Sequence, residues 1–166
     1  MAAGPLLILI GLHVASGLVA VMCGVGAMLT RKGSSRHRRF GRAYVIVLVL
    51  LCGTAADLAG LDWAHRRHLA VLGALALSCA AIGYGAVRLA RPARIALHLS
   101  GMGVGYIAML TAFYVDNGPR PPVWRLLPPL WLWLLPAAFG VPIILRAVLR
   151  LTRTRARHAR TFEDLR

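Results

Sequence analysis

Five long apolar stretches, separated by short polar or basic segments, constrain this chain more than any other feature. They cover residues 5–29, 43–59, 68–87, 95–115 and 126–145. A membrane helix needs roughly 20 apolar residues, and these stretches are close to that length. In lipid the backbone must satisfy its own hydrogen bonds, so such stretches are expected to be helical. The sequence therefore predicts an all-α integral membrane bundle of five transmembrane helices.

The basic residues are unevenly distributed between these stretches. Sixteen of the twenty Lys and Arg residues lie in the segments 30–42, 88–94 and 146–166. Short loops rich in Lys and Arg remain on the cytoplasmic side of a membrane. We therefore expect the N-terminus outside and the C-terminus in the cytoplasm. Residues 1–150 would form the transmembrane domain, and residues 151–166 would form a basic cytoplasmic tail.

Composition supports a membrane location. The chain is 58% hydrophobic and 15% charged, which is more apolar surface than a soluble domain of 166 residues can bury. The net charge of +15 lies beside apolar spans, which favours anionic lipid headgroups over nucleic acid as the partner. The predicted lipid-binding residues are Arg38, Arg39, Arg150 and Arg153.

Small residues recur at helical spacing in three of the five stretches. In lipid, helices associate through close backbone approach at such positions. We expect them to pack the first, third and fourth helices against each other within one chain, with a homodimer as the alternative. The positions are Ser16, Ala20 and Gly24 in the first stretch; Gly73, Ala76, Ala80 and Gly83 in the third; and Gly101 and Gly105 in the fourth.

Two histidines inside apolar stretches are the strongest candidates for a functional site. His13 lies within the first stretch, where an ionisable residue is costly and marks a site by default. His98 has Met102 four residues on, and these two side chains are ligand types for copper or haem iron. His13 and His98 differ by about 12 Å in expected depth, which disfavours one haem ligated by both. The alternative for each histidine is a neutral imidazole hydrogen-bonded to a neighbouring helix.

A second constellation lies in the segments expected outside. Carboxylate and imidazole side chains together suit a divalent metal or proton transfer. The candidate metal ligands are Asp57, His65, His68 and Asp116. The alternative is a solvated collar of polar residues at the membrane surface.

Several segments together resemble a family of bacterial polytopic membrane proteins, catalogued as domain of unknown function 2306. The resemblance rests on His13 with Gly17, on His37-Arg38-x-x-Gly41-x-x-Tyr44, on His98-x-x-x-Met102, on the run from Thr111 to Pro119, and on the Pro-rich fifth stretch. It covers most of residues 10–145. The resemblance implies a small helical protein of the bacterial cytoplasmic (inner) membrane, and it implies no particular activity.

No catalytic motif is recognisable, so the function prediction rests on the histidines. We expect a redox cofactor, either haem or a transition metal, or a small ligand at His13 and His98. A non-catalytic accessory subunit of a larger membrane complex is the first alternative. A small-solute transporter is the second, because Pro136 and Pro142 lie inside the fifth stretch and broken helices can line binding cavities.

Overall fold

Five α-helices make up the computed structural model, which describes residues 3–90, 93–117, 126 and 128–163, with side chains described for residues 4–151 of these ranges. The helices are α1 (Ala3–Leu29), α2 (Ser35–Leu61), α3 (Trp63–Ala86), α4 (Arg94–Asn117) and α5 (Pro129–Glu163). No strand occurs in the described ranges. All five helices are long and apolar enough to cross a membrane. The prediction of an all-α chain with five such helices is therefore confirmed for the residues described.

The apolar surface of the bundle faces outward. Only 11% of the apolar window is buried in α1 and in α5, compared with 39% in α2. Large aliphatic and aromatic side chains remain open on these outer helices, among them Ile8 at 73%, Leu29 at 82% and Phe139 at 69% exposure. A water-soluble protein does not leave so much contiguous apolar surface uncovered. This distribution is what a bundle surrounded by lipid requires.

The helices pack in chain order, and α4 also reaches back toward the start of the chain. Each helix contacts the next one along the chain, and the α3–α4 contact is the most extensive. The Tyr106 ring of α4 lies 5.9 Å from the Tyr44 ring of α2, measured between centroids. Its hydroxyl donates to the Val21 carbonyl of α1 at 3.2 Å. Tyr106 therefore joins the two halves of the bundle in its core.

Glycine lets the backbones of α3 and α4 touch. A Cβ on Gly101 would lie 2.7 Å from both the Cys79 carbonyl oxygen and the Gly83 Cα atom. A Cβ on Gly105 would lie 2.8 Å from the Ala76 carbonyl oxygen. Only a residue without a side chain fits at these positions. The prediction is therefore confirmed for the stripes of the third and fourth helices, whereas α1 packs mainly on α2 and not on α3 as expected.

The second helix begins earlier than the sequence suggested. The whole basic segment 30–42 was expected between the helices, but α2 begins at Ser35. The Ser34 side chain accepts from the His37 amide at 3.1 Å, which caps the helix. Gly33 completes the turn with a φ of 79°, a value that glycine adopts without strain. The expectation was wrong because Arg is a good helix former, so a run of positive charge does not by itself end a helix.

Two other boundaries also differ from expectation. The segment 60–67 was expected to be a loop, but Asp62 alone separates α2 from α3. The fifth helix runs without interruption through Pro136 and Pro142 to Glu163. The helix is not interrupted at either proline, and the transporter alternative stays a prediction. The boundary expected at residue 150 lies inside this helix.

Candidate functional site

Two histidines from different helices meet near the ends of α1 and α3. His37 lies in the first turn of α2 and His98 in the second turn of α4. Their ring centroids are 6.2 Å apart and the ring planes meet edge to face at 77°. Both side chains are partly buried. We call this arrangement the His37–His98 pair.

Each ring of the pair is held by a backbone carbonyl at the end of a helix. His37 Nδ1 lies 2.9 Å from the Ala27 carbonyl oxygen of α1. His98 Nδ1 lies 2.8 Å from the Gly83 carbonyl oxygen of α3. Both carbonyls belong to the last turn of their helix, where no amide of the same helix remains to bond them.

These two bonds determine the tautomer of each ring. A carbonyl oxygen can only accept, so each Nδ1 carries the hydrogen and donates it. In a neutral imidazole the other nitrogen, Nε2, then keeps a lone pair. A metal-binding histidine is usually oriented in this way, with its second nitrogen donating to a backbone carbonyl or a carboxylate.

His13 lies well away from the pair, toward the opposite end of the bundle, in a separate polar group. Its Nδ1 is 3.0 Å from the Thr54 hydroxyl of α2. That hydroxyl also lies 2.9 Å from the Leu51 carbonyl, to which it donates, so it accepts from His13 Nδ1. Asp116 and Arg66 are close enough to interact electrostatically with the same ring. The hydrogen-bonded imidazole expected as the alternative reading is therefore observed.

The structure does not bring His13 and His98 together. His13 is level with Thr54 on α2, whereas His98 is level with His37 on the same helix. Residues 37 and 54 are separated by about 25 Å along a helix. One iron or one metal ion therefore cannot bind both histidines. The disfavoured arrangement, a single haem between them, is excluded by this geometry.

Met102 lies one turn beyond His98 and belongs to the packing of the core. It is partly buried against the central cluster that contains Tyr44, Leu48 and Tyr106. Its backbone also faces the α3–α4 contact, where a Cβ on Gly83 would meet the Met102 amide nitrogen at 2.6 Å. Met102 therefore lies one turn from His98 on the same helix, and its role as a ligand stays a prediction.

The residues expected to bind a metal at the other end are spread over separate contacts. Within the described ranges no three His, Cys, Asp or Glu side chains are grouped to hold one ion. His65 Nδ1 lies 2.9 Å from the Asp62 carboxylate, and this hydrogen bond lowers the pKa of Asp62. The His68 ring contacts the Trp133 ring edge to face, with the ring centroids 6.3 Å apart. Asp57 is exposed.

The arginines expected to bind lipid are placed differently from one another. Arg38 donates to the Gly33 carbonyl at 2.5 Å, whereas Arg39 lines an open groove on the α1–α2 surface. Arg150 is exposed on α5. The side chain of Arg153 lies outside the described residues.

Two residues at this site, one member of the pair and one nearby tyrosine, were not singled out as site residues from the sequence. His37 was noted only in a basic motif, although its position three residues after a Ser cap placed it inside a helix. Tyr44, two turns further along α2, is 2% exposed, and its buried hydroxyl has no hydrogen-bond partner among the described residues. No sequence signal distinguishes a buried Tyr hydroxyl from one at the membrane surface.

Comparison with family models, with curated proteins and with solved structures found no match.

Proposed function

We propose that this protein holds a redox cofactor, either haem or a transition metal ion, at the His37–His98 pair within the membrane. One observation carries the proposal. Two imidazoles from two helices lie edge to face, and each donates its Nδ1 hydrogen to a carbonyl so that Nε2 keeps its lone pair. This is the tautomer that metal-binding histidines commonly adopt. His98 was a candidate from the sequence, and His37 replaces His13 as its partner.

The donor set limits what the pair can hold. His37 and His98 would supply two imidazole ligands to a haem iron, and the haem would supply one-electron chemistry. A transition metal ion would need further ligands from water or from a bound small molecule. Such a centre would pass single electrons, and the surrounding apolar helices would set its potential by excluding water.

The membrane placement forms part of the same proposal. The basic segments 30–42, 88–94 and 146–166 would face the cytoplasm, so the N-terminus would lie outside. The pair would then lie near the cytoplasmic edge, because α1 ends and α2 begins there. The resemblance to the domain of unknown function 2306 family supports a bacterial inner membrane. This topology can be tested by introducing a cysteine at Ala3 or at Arg166 and labelling it from each side of the membrane in intact cells. Labelling of both positions from the same side contradicts it.

Optical spectroscopy and metal analysis of the purified protein test the proposal directly. We expect either a Soret band or about one transition metal per chain. His37→Ala and His98→Ala should each abolish the signal. His65→Ala is the matched control, because His65 is exposed at the other end of the bundle and should leave it unchanged. Protein from native membranes that carries neither haem nor stoichiometric metal contradicts the proposal.

An accessory subunit is the second candidate, and the low burial of α1 and α5 favours it. With 11% of each apolar window buried in the chain itself, both helices offer broad surfaces to a neighbouring membrane protein or to a second copy. Purification from native membranes in a mild detergent tests this candidate. A stable complex with a defined partner supports it, and a lone monomer contradicts it.

A further inference from the structure

Positive charge is concentrated where the helix dipole opposes it. The first two turns of α2 contain Arg36, Arg38, Arg39 and Arg42 and no acidic residue. The N-terminus of a helix already carries about half a positive charge, so cations there are unfavourable. No acidic side chain in the described ranges forms a salt bridge with any of them. The positive charge at this end of the protein is therefore not balanced by the described acidic side chains, which favours the binding of an external anion.

Among the described residues, backbone carbonyls engage three of the six cations in the segment 30–42, whereas the side chains of Arg31, Arg36 and Arg39 have no such bond. Lys32 Nζ donates to the Met28 carbonyl at 2.7 Å, and burial lowers the pKa of Lys32. Arg38 donates to the Gly33 carbonyl, and Arg42 donates to the Arg38 carbonyl at 3.4 Å. Within the described residues no hydrogen bond or ion pair engages the guanidinium of Arg36 or Arg39.

Two of these unengaged arginines, Arg36 and Arg39, border the same groove. It has a volume of ≈ 410 Å³ and is lined by Cys23, Arg36, Arg39, Phe40 and Ala43. Arg36 and Arg39 are three residues apart, so they lie on one face of α2. The Phe40 ring packs on Gly26 of α1, where a Cβ would lie 2.8 Å from it. The groove therefore joins a pair of cations to an apolar floor at the end of a membrane span.

We propose that this groove binds one anionic phospholipid. The phosphate would lie between Arg36 and Arg39, because guanidinium groups bind phosphate oxygens with paired hydrogen bonds. The first part of an acyl chain would lie over Phe40, Cys23 and Ala43. A phosphatidylcholine headgroup carries a cation that the two arginines repel, so phosphatidylglycerol is preferred. Inorganic phosphate lacks the acyl chain that the apolar floor binds, so it binds more weakly.

Native mass spectrometry of the full chain in detergent micelles tests the site, with phosphatidylglycerol and phosphatidylcholine as probes. We expect one tightly held phosphatidylglycerol per chain. Arg36→Gln/Arg39→Gln should weaken its binding on the order of 100-fold, because it removes the charge-assisted hydrogen bonds of both guanidinium groups to the phosphate. The matched control is Arg38→Gln/Arg42→Gln, which removes the same charge from the same turns and should weaken binding less than threefold. An equal loss in both double variants indicates a diffuse charge effect and overturns the proposal.

The Cys23 thiol provides a second measurement that needs no variant. Because Cys23 lines the groove, phosphatidylglycerol in the micelle should slow its alkylation by a maleimide at least fivefold. Phosphatidylcholine and inorganic phosphate should not slow it. Cys79 lies outside the groove and serves as the internal reference. Equal protection by both lipids, or protection by inorganic phosphate alone, overturns the assignment to an anionic phospholipid.

Discussion

The α3–α4 contact and the α1–α2 contact hold the bundle together in different ways. Between α3 and α4 the backbones themselves touch, at Gly83, Gly101 and Gly105. Between α1 and α2 side chains fill the space, with His13 bonded to Thr54 and the Phe40 ring packed on Gly26. Both contacts join neighbouring helices of similar length. In the α3–α4 contact the touching atoms belong to the backbone, so they cannot move aside without moving a helix.

This difference indicates where the fold is rigid and where it can adapt. A backbone contact in lipid is stabilised by close packing, and an added methyl group must separate whole helices. A side-chain contact can change rotamer or lose one hydrogen bond at a smaller cost. The His37–His98 pair depends on both contacts, because its two carbonyl partners belong to α1 and α3. Substitutions at the backbone contact should therefore cost more stability than substitutions at the side-chain contact.

The largest effect is expected for Gly101→Ala. Its new methyl group would meet the Cys79 carbonyl and the Gly83 Cα at 2.7 Å, and neither can move without moving α3. We expect a loss of about 3 kcal/mol in stability, the upper end for overpacking, measured by thermal unfolding in detergent. Gly53→Ala is the matched control, because a Cβ there meets nothing within 4 Å. It should stabilise by about 0.5 kcal/mol. Equal Tm values for the two variants would contradict the backbone-contact account.

A smaller loss is expected for Gly24→Ala. The new methyl group meets the Tyr106 ring, which is a side chain and can shift, although its hydroxyl bond to Val21 would weaken. We expect a loss of about 2 kcal/mol in the same unfolding assay. Combining it with Tyr106→Leu should be less damaging than the sum of the two single changes, because the smaller side chain makes room. Strict additivity would show that the two positions do not touch.

Thr54→Val tests the hydrogen bond between α1 and α2. It removes the acceptor of His13 Nδ1 and keeps the shape of the side chain. Hydrogen bonds between membrane helices contribute about 0.6 kcal/mol on average and up to about 1.7 kcal/mol. We expect a loss of about 1 kcal/mol. Thr111→Val is the matched control, since the Thr111 hydroxyl donates only to Ile107 of its own helix. Similar losses in both variants would show that the bond between helices contributes nothing.

The smallest effect is expected outside both contacts, at Asp62. The hydrogen bond from His65 lowers the pKa of Asp62, so its stabilisation is present at neutral pH. It is lost only as the pH falls through that lowered pKa, below the ordinary range of a carboxylate. Because the pair is exposed, Asp62→Asn should leave Tm unchanged at pH 7 and make it slightly less sensitive to acid. A clear fall in Tm at pH 7 would mean that Asp62 has a further role in the α2–α3 connection.

The features that depend on composition and spacing were predictable from the sequence. The five helices follow from the lengths of the apolar stretches, and the α3–α4 contact follows from glycines one turn apart. The start of α2 was misplaced because it was predicted from the distribution of charge, whereas a helix starts where its first turn is capped, here at Ser34. The partner of His98 was missed because it depends on how α2 is rotated against α4, and periodicity along one helix does not determine that rotation.

By itself the sequence determined that this chain has five helices suited to lipid, because apolar length and small-residue spacing act locally along each helix. Only the tertiary structure decided which polar groups meet. It placed His37 beside His98 and left His13 with Thr54 toward the other end of the bundle. The physical reason is that an imidazole in lipid must find a hydrogen-bond partner on a neighbouring helix, and the order and rotation of the packed helices decide which partner is within reach.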